Sequence, residues 1–399
     1  MIRRPHFVDI HILQSVPPSN MNRDDTGSPK TARFGGVMRS RVSSQAWKKA
    51  TRDEFRRQLA SEGLGQNSES VELLDGSAFA ALGKKEMLGS RTKHAVDLIA
   101  EAITRQDSRL ADDALTMATE VLKSSGIAVK DDKGAQVTGY LLFISQIQAD
   151  KLAELAIQAF REDKAVDKKS SQAVLRQDNA VDIALFGRMV ADDPSLNVDA
   201  ACQVAHAIGI HKAETEFDYF TAMDDRSPED NAGAGMIGTV EFTSSTLYRY
   251  ATVNLPLLLE NLESIDATTR ALQAFVEAFV MSMPTGKQNT FANRTLPAAV
   301  IVQLRDTQPV SLVNAFETPI EPSAGKGRIE LACHALAEQA RLIDQAFETA
   351  PIATYVVTAA PGTGCLDEMG EQTTLRGLID ALGTRVREAL LDGDSGVGS

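Results

Sequence analysis

The stretch Phe34–Lys49, FGGVMRSRVSSQAWKK, constrains this chain more than any other, because three different backbone demands follow one another without a break. Gly35 and Gly36 permit a tight bend or the close approach of a second backbone. Val37–Val42 then alternates, which predicts a short strand with Arg39 and Arg41 on one face, since side chains two apart share a face. Ser43 and Ser44 are good N-cap residues, and the helix they open carries Trp47, Thr51, Phe55 and Leu59 at i+4 spacing, a stripe suited to a core. Lys48, Arg52 and Arg56 form a second, cationic stripe on the same helix.

A helix N-terminus offers free N–H groups and the positive end of the helix dipole, so it favours an anion before any side chain is counted. Basic side chains beside it sharpen that preference to phosphate. A row of them suits the repeated phosphates of a nucleic-acid backbone better than a single nucleotide. A solvated basic helix face is the competing reading of the same stripe. Net charge is −13, yet residues 1–57 hold twelve Lys/Arg against five Asp/Glu, a local +7, leaving 29 against 49 elsewhere. Exposed charges more than about 8 Å away are screened at physiological salt, so a bound strand would feel the local patch.

At 399 residues, 43% hydrophobic and 24% charged, the chain has the composition of an ordinary globular protein with room for a sizeable core. No apolar run approaches the roughly 20 residues of a membrane helix, and the first residues read as a strand rather than a signal peptide, so a cytoplasmic protein with no membrane partner is expected. Cys202, Cys333 and Cys365 lie far apart in sequence and form no CxxC pair, which predicts buried or incidental thiols rather than a disulfide framework or zinc site.

Phe7–Leu13 alternates Val8, Ile10 and Ile12 against Asp9 and His11, the pattern of a half-buried strand. Residues 15–32 make a Pro-, Asn- and Asp-rich loop carrying Arg23 and Lys30, long enough to suggest function. From about Ser61 to Asp178 the periodicity is helical (Ala78–Met87, Ala95–Ile103, Ala111–Leu122, Ala149–Phe160, Gln172 onward), which reads as a helical insertion in an α+β domain. Tyr140–Ile144 reads equally as a short strand or a helix start. Val181–Met189 is strand-like, and Val198–Ile210 predicts a helix bearing His206, with His211 just past its end, too sparse a pair for a metal site. Thr215–Thr243 predicts a long hairpin with an acidic, glycine-rich tip, where Met236 and Ile237 either insert into something or tuck back. Beyond it, Thr246–Leu255 reads as a strand, Ala267–Met283 as a helix and 284–294 as a loop with Lys287. Ala298–Leu304 then reads as a strand, Ile329–Phe347 as a helix, Ile352–Thr358 as a strand and Leu375–Leu391 as a helix. GxSxG, HExxH and dinucleotide fingerprints are absent, as is a P-loop around Gly286-Lys287. Asp24-Asp25 offers two roles, a metal-holding pair for RNA hydrolysis or an Asx-type loop brace.

The Phe34–Lys49 stretch with Asn22-Arg23-Asp24-Asp25 upstream resembles the N-terminal signature of the CasC (Cse-four) family, the backbone subunit of the type I-E CRISPR Cascade complex. VDIALFGRM at 181–189, AHAIGIH at 205–211 leading to DYFTAMDD at 218–225, and GKQNTFA at 286–292 fit the same family, in order, as far as about Phe316. The resemblance implies a hand-shaped α+β fold: a modified RRM/ferredoxin-like palm (1–60, 181–209, and 244–392 with the C-terminal elements), a helical fingers insertion (61–180), a β-hairpin thumb (210–243) and a disordered tail (393–399). It implies no catalysis and no cofactor or metal. It further implies copies stacked head to tail along one crRNA, whose bases pair with a target DNA strand, beside the Cascade subunits CasA, CasB, CasD and CasE. The residues it assigns to RNA are Arg23, Lys30, Arg39, Arg41, Ser43, Gln45, Lys48, Lys49, Arg52 and Lys287, with Met189 and Ile237 as apolar wedges. Val37 and Met38 depart from the basic run that relatives carry after the two glycines.

Overall fold

The computed structural model describes residues 6–64, 88–222, 236–323 and 325–395. Its strands are β1 (Phe7–Ser19), β2 (Thr31–Phe34), β3 (Val37–Val42), β4 (Gly89–Thr92), β5 (Val129–Asp132), β6 (Ala135–Thr138), β7 (Leu142–Ser145), β8 (Cys202–Val204), β9 (Ala207–Gly209), β10 (Glu216–Ala222), β11 (Met236–Asn254), β12 (Ala299–Arg305), β13 (Ala353–Thr358) and β14 (Glu371–Gln372). Its helices are α1 (Ser44–Leu64), α2 (Ala95–Gln106), α3 (Ala114–Ser124), α4 (Gln146–Arg161), α5 (Lys168–Arg176), α6 (Val181–Phe186), α7 (Leu255–Leu262), α8 (Ile265–Met281), α9 (Gln288–Phe291), α10 (Arg328–Phe347) and α11 (Leu375–Ser395). None is long and apolar enough to cross a membrane among the described residues.

A ten-stranded mixed sheet organises the molecule in the order β14-β13-β12-β1-β11-β9-β3-β2, with β8 and β10 also paired to β11. Its spine is β1 against β11, in register from Phe7↔Asn254 to Val16↔Ser245. The register then shifts at Pro17-Pro18, where no backbone N–H is available to continue the ladder, and resumes at Ser19↔Thr243.

Both faces of this sheet are covered. On one, Val8, Ile10, Ile12, Ala251 and Val302 meet Trp47 and Phe55 of α1, Phe275 and Phe279 of α8, and Leu382 of α11. Burying one such aromatic contributes about 1.5–3 kcal/mol. On the other face, Leu13, Tyr248, Ile301 and Val356 pack under α10 and the segment ending at Phe316. β1 is therefore not half-buried as expected: Asp9 and His11 are as fully enclosed as Ile10. Polar partners make that burial tolerable. Asp9 accepts from the Val310 amide (2.9 Å) and the Tyr250 hydroxyl (2.8 Å) and lies 3.1 Å from the Arg305 guanidinium. Tyr248 accepts from the Leu312 amide (3.0 Å), and its hydroxyl is hydrogen-bonded to His11 Nδ1 (2.8 Å).

The insertion has its own core, built from α2, α3 and α4 with Leu142, Ile144 and Leu196. It also contains two small antiparallel pairs, β4–β7 and β5–β6. Of the two readings of Tyr140–Ile144 both survive in part. Leu142–Ser145 is a strand, and Ser145 then caps α4 through a reciprocal bond with Gln148.

Two expected elements form as the other type. Val181–Met189 is not a strand but the short helix α6, stopped by Gly187 at φ 78°. A brief apolar run reads the same for a buried strand and a buried helix turn. Val198–Ile210 is not a helix but β8 and β9, because pairing of Val204 with Ala251 and of Gly209 with Leu247 outweighs the helix preference of its alanines. α11 also runs to Ser395, into the expected tail. The Ala78–Met87 helix and the hairpin tip at 223–235 lie outside the described residues.

Candidate nucleic-acid interface

Gly35 and Gly36 both adopt positive φ, and a Cβ on Gly35 would lie 1.6 Å from the Glu317 carbonyl oxygen, so the bend exists only because a second backbone comes this close. That approach decides the fate of Arg39. Its guanidinium is wholly buried and donates to the carbonyls of Phe34 (3.1 Å), Gly209 (3.2 Å), Phe316 (3.0 Å) and Glu317 (3.1 Å). Arg39 is thus a staple between β3, β9 and the 316–317 segment, and its assignment as a phosphate ligand is corrected. Alternation gave the right face; it could not show that the face is covered at one position and open at the other.

Two residues on, Arg41 reaches the open end of that face. Its Nε donates to the Thr31 carbonyl (3.1 Å) and its Nη1 to Nδ1 of His206 (3.1 Å), an exposed residue between β8 and β9. Burial first, then the charges of Arg41 and Lys30, hold the His206 imidazole below its ordinary value. Arg41 and His206 are thus hydrogen-bonded neighbours, and Lys30 lines the same cavity as Arg41. Lys30 is placed by backbone bonds, its amide donating to the Asn22 carbonyl and its carbonyl accepting from the Arg41 amide, both at 2.9 Å.

The helix mouth is tied to the same loop. Asn22 Oδ1 accepts from the Ser43 amide (2.8 Å), and Ser43 Oγ caps α1 by accepting from the Ala46 amide (3.3 Å). Ala46 and Trp47 amides close on the Ser43 carbonyl, so those of Ser44 and Gln45 are the donors left over at the helix start. Gln45 is exposed there, and Lys48 lies one turn on, half-buried.

Other expected residues go elsewhere. Lys49 points about 100° away around α1 from Lys48 and pairs with Asp53 at 2.5 Å. Arg52 lies 4.6 Å over the Phe143 ring and 3.4 Å from Asp182, so it docks the insertion against α1. Lys287, at φ 54°, heads α9 in a loop whose Gly286 abuts Met21: a Cβ there would lie 2.3 Å from the Met21 carbonyl oxygen. Phe291 of that loop packs 5.7 Å from Phe242 at the hairpin base. Met189 is 78% exposed beside Arg188, whose buried guanidinium gathers the carbonyls of Leu175, Leu196 and Phe143. The backbone of Ile237 pairs with Thr221, and its side chain lies outside the described residues.

In the N-terminal loop Arg23 is exposed and bridged to Pro29. Asp24 Oδ1 accepts from the Thr26 amide (3.0 Å), the Thr26 hydroxyl (2.7 Å) and the Ser28 amide (3.0 Å), with the hydroxyl the main cause of its lowered pKa. That is the Asx brace. Among the described residues no three His, Cys, Asp or Glu side chains gather as a metal site. Sequence reasoning missed His206 and Asn22 as members of this edge. Both stood in segments that carry the family resemblance, yet Asn22 was given no contact of its own, and His206 was assigned to a helix that does not form.

This combination, a mixed sheet with a separately cored insertion, a hairpin and a cationic strand-to-helix edge, is similar to subunits of CRISPR surveillance complexes. A chain of a "CRISPR RNA-guided surveillance complex, pre-nicking" superposes with TM-score 0.77 at 33% identity, covering 95% of this chain and 100% of that one. A second, from a "CRISPR RNA-guided surveillance complex", does so with TM-score 0.69 at 28% identity, covering 95% and 99%. No curated protein matches the chain. The chain belongs to the CT1975-like protein family of CRISPR-associated proteins, whose model matches residues 8–381.

Proposed function

We propose that this protein is the crRNA-binding backbone subunit of a type I-E CRISPR surveillance complex. Several copies polymerise head to tail along the guide, each a hand with an RRM-like palm, a fingers insertion and a hairpin thumb. Each copy holds ribose-phosphate without reading bases, which stay free to pair with target DNA, and neighbouring Cascade subunits (CasA, CasB, CasD, CasE) complete the particle. The observation that carries this reading is that Arg41, hydrogen-bonded to His206, is tied with Lys30 and the α1 mouth that bears Lys48 through one set of bonds centred on Asn22, in a protein whose net charge is −13. Without a local cationic edge, an acidic chain would repel a polyanion.

The reading is tested by replacing Arg41 and Lys48 with Glu and measuring retained RNA against salt. Retention should fall for every guide sequence, and the log–log salt slope should flatten by about 0.7 for each phosphate no longer neutralised. An unchanged titration removes the assignment. We propose no catalytic role: with magnesium the purified protein should leave bound RNA intact. Cleavage abolished by Asp25→Ala would instead establish the hydrolytic alternative, in which Asp24 and Asp25 hold a metal. Multimers should fall apart under ribonuclease, whereas a protein-only scaffold would survive it.

A further inference from the structure

Arg305 and Arg249 are both enclosed in the central sheet, on opposite faces, and among the described residues only the first meets a carboxylate. Arg305 lies 3.1 Å from Asp9 and 3.2 Å from Asp344. Arg249 enters the helix-covered apolar core, where its guanidinium carbon lies 3.7 Å from the centre of the Trp47 ring and 4.6 Å from that of Phe279. Its Nη1 donates to Gln14 Oε1 (2.6 Å) and its Nη2 to the Phe279 carbonyl, and its Nε has no partner. These acceptors are neutral. Burial lowers its pKa to about 9, which still leaves the side chain a cation at neutral pH. A buried charge is normally paired. Here two ring faces and the carbonyl end of α8 recover part of the desolvation cost, and a helix end carries only about half a unit charge. A net positive charge therefore remains in the core.

Trp47 is fully buried on α1, and its amide closes on the Ser43 carbonyl (3.2 Å) in the turn that opens the helix. Arg249 thus lies one side chain behind the α1 mouth, where the Ser44 and Gln45 amides are left over and Lys48 follows one turn on. We propose, on the reading that this edge holds ribose-phosphate, that Arg249 is a buried member of the same site, attracting phosphate to the α1 mouth through the protein interior without touching it. The packed protein between them excludes counterions, so this attraction is screened less than that of an exposed lysine. At an effective dielectric of about 20, a unit charge acting across one side chain and one helix turn is worth about tenfold in affinity. Arg249 displaces no counterion from the guide, so it leaves the salt slope alone, whereas Arg41 and Lys48 contribute to it.

The test titrates the full-length protein with a fluorescent single-stranded RNA containing all four bases, from low to high salt, alongside the Tm of each variant. Arg249→Met fills much of the same space without charge. It should bind about tenfold more weakly at every salt concentration, on a log–log line parallel to that of wild type. Gln14→Glu puts a carboxylate of nearly the same shape against the guanidinium and should weaken binding by a similar factor. A merely structural Arg249 would instead be held better by that carboxylate and would bind as wild type does. Wild-type affinity in either folded variant, or a changed slope in Arg249→Met, overturns the proposal; if Arg249→Met does not fold, Gln14→Glu decides. Loss of retention in the Arg41 and Lys48 variants beside unchanged binding in these two would defeat this proposal alone and leave the reading of the edge standing.

Discussion

Along β1 the side chains of Val8, Ile10 and Ile12 enter a helix-covered apolar core, while Asp9 and His11, equally buried, enter a hydrogen-bonded network under α10. The first face is stabilised by area removed from water, a contribution that is non-directional and indifferent to pH. The second balances desolvation against specific partners, so it is vulnerable to the loss of a single one and to protons. Geometry alone, one strand with two sides, separates these two regimes by a single residue.

The largest expected effect comes from breaking the polar face. Arg305→Ala strands the Asp9 carboxylate and should lower stability by about 3–5 kcal/mol in chemical denaturation. Removing both charges, Asp9→Asn with Arg305→Met, should recover much of that loss, since asparagine keeps an acceptor for the Val310 amide and the unpaired charge is gone. A single variant within the error of wild type would end the comparison. Phe275→Ala, on the apolar face, should cost about 3–4 kcal/mol through its cavity, with the same loss at acid and neutral pH.

The smallest effect, read within about one pH unit below 6.5, concerns His11, whose pKa burial pushes from 6.5 down to about 3. The folded state binds this proton more weakly than the unfolded one. Its stabilisation is therefore complete above pH 6.5 and is lost as pH falls toward 3, with a slope of at most about 1.4 kcal/mol per pH unit. Asp9 works the other way, because burial raises its pKa and the folded state binds that proton more readily. His11→Gln should isolate the first contribution by flattening the acid limb of the stability–pH curve, read by thermal melts across the range.

The apolar face was legible in the sequence because its periodicity is local. The i+4 run of Trp47, Thr51 and Phe55 predicted a helix stripe, and all three are buried. The strands at Ala299–Arg305 and Ala353–Thr358, and the helices at Ile265–Met281 and Arg328–Phe347, followed from the same signals. What stayed illegible depended on chain hundreds of residues away. Asp9 looks like a solvent residue until Val310 and Arg305 arrive, and Arg39 like a surface cation until the Phe316 and Glu317 carbonyls close over it. β8 and β9 are too short and alanine-rich to declare themselves without β11 beside them. At the candidate site the residue types were readable, whereas their grouping was not: Arg41 kept an open position, Arg52 became a clamp between α1 and the insertion, and His206 joined unannounced.

The bond from the Ser43 amide to Asn22, together with the backbone bonds that zip Lys30 to Asn22 and Arg41, has an energetic corollary. The loop and the helix mouth are already preorganised, so a polyanion settling there orders little protein as it binds. Calorimetry should then show a heat-capacity change too small for coupled folding, and association limited by ionic steering rather than by loop closure.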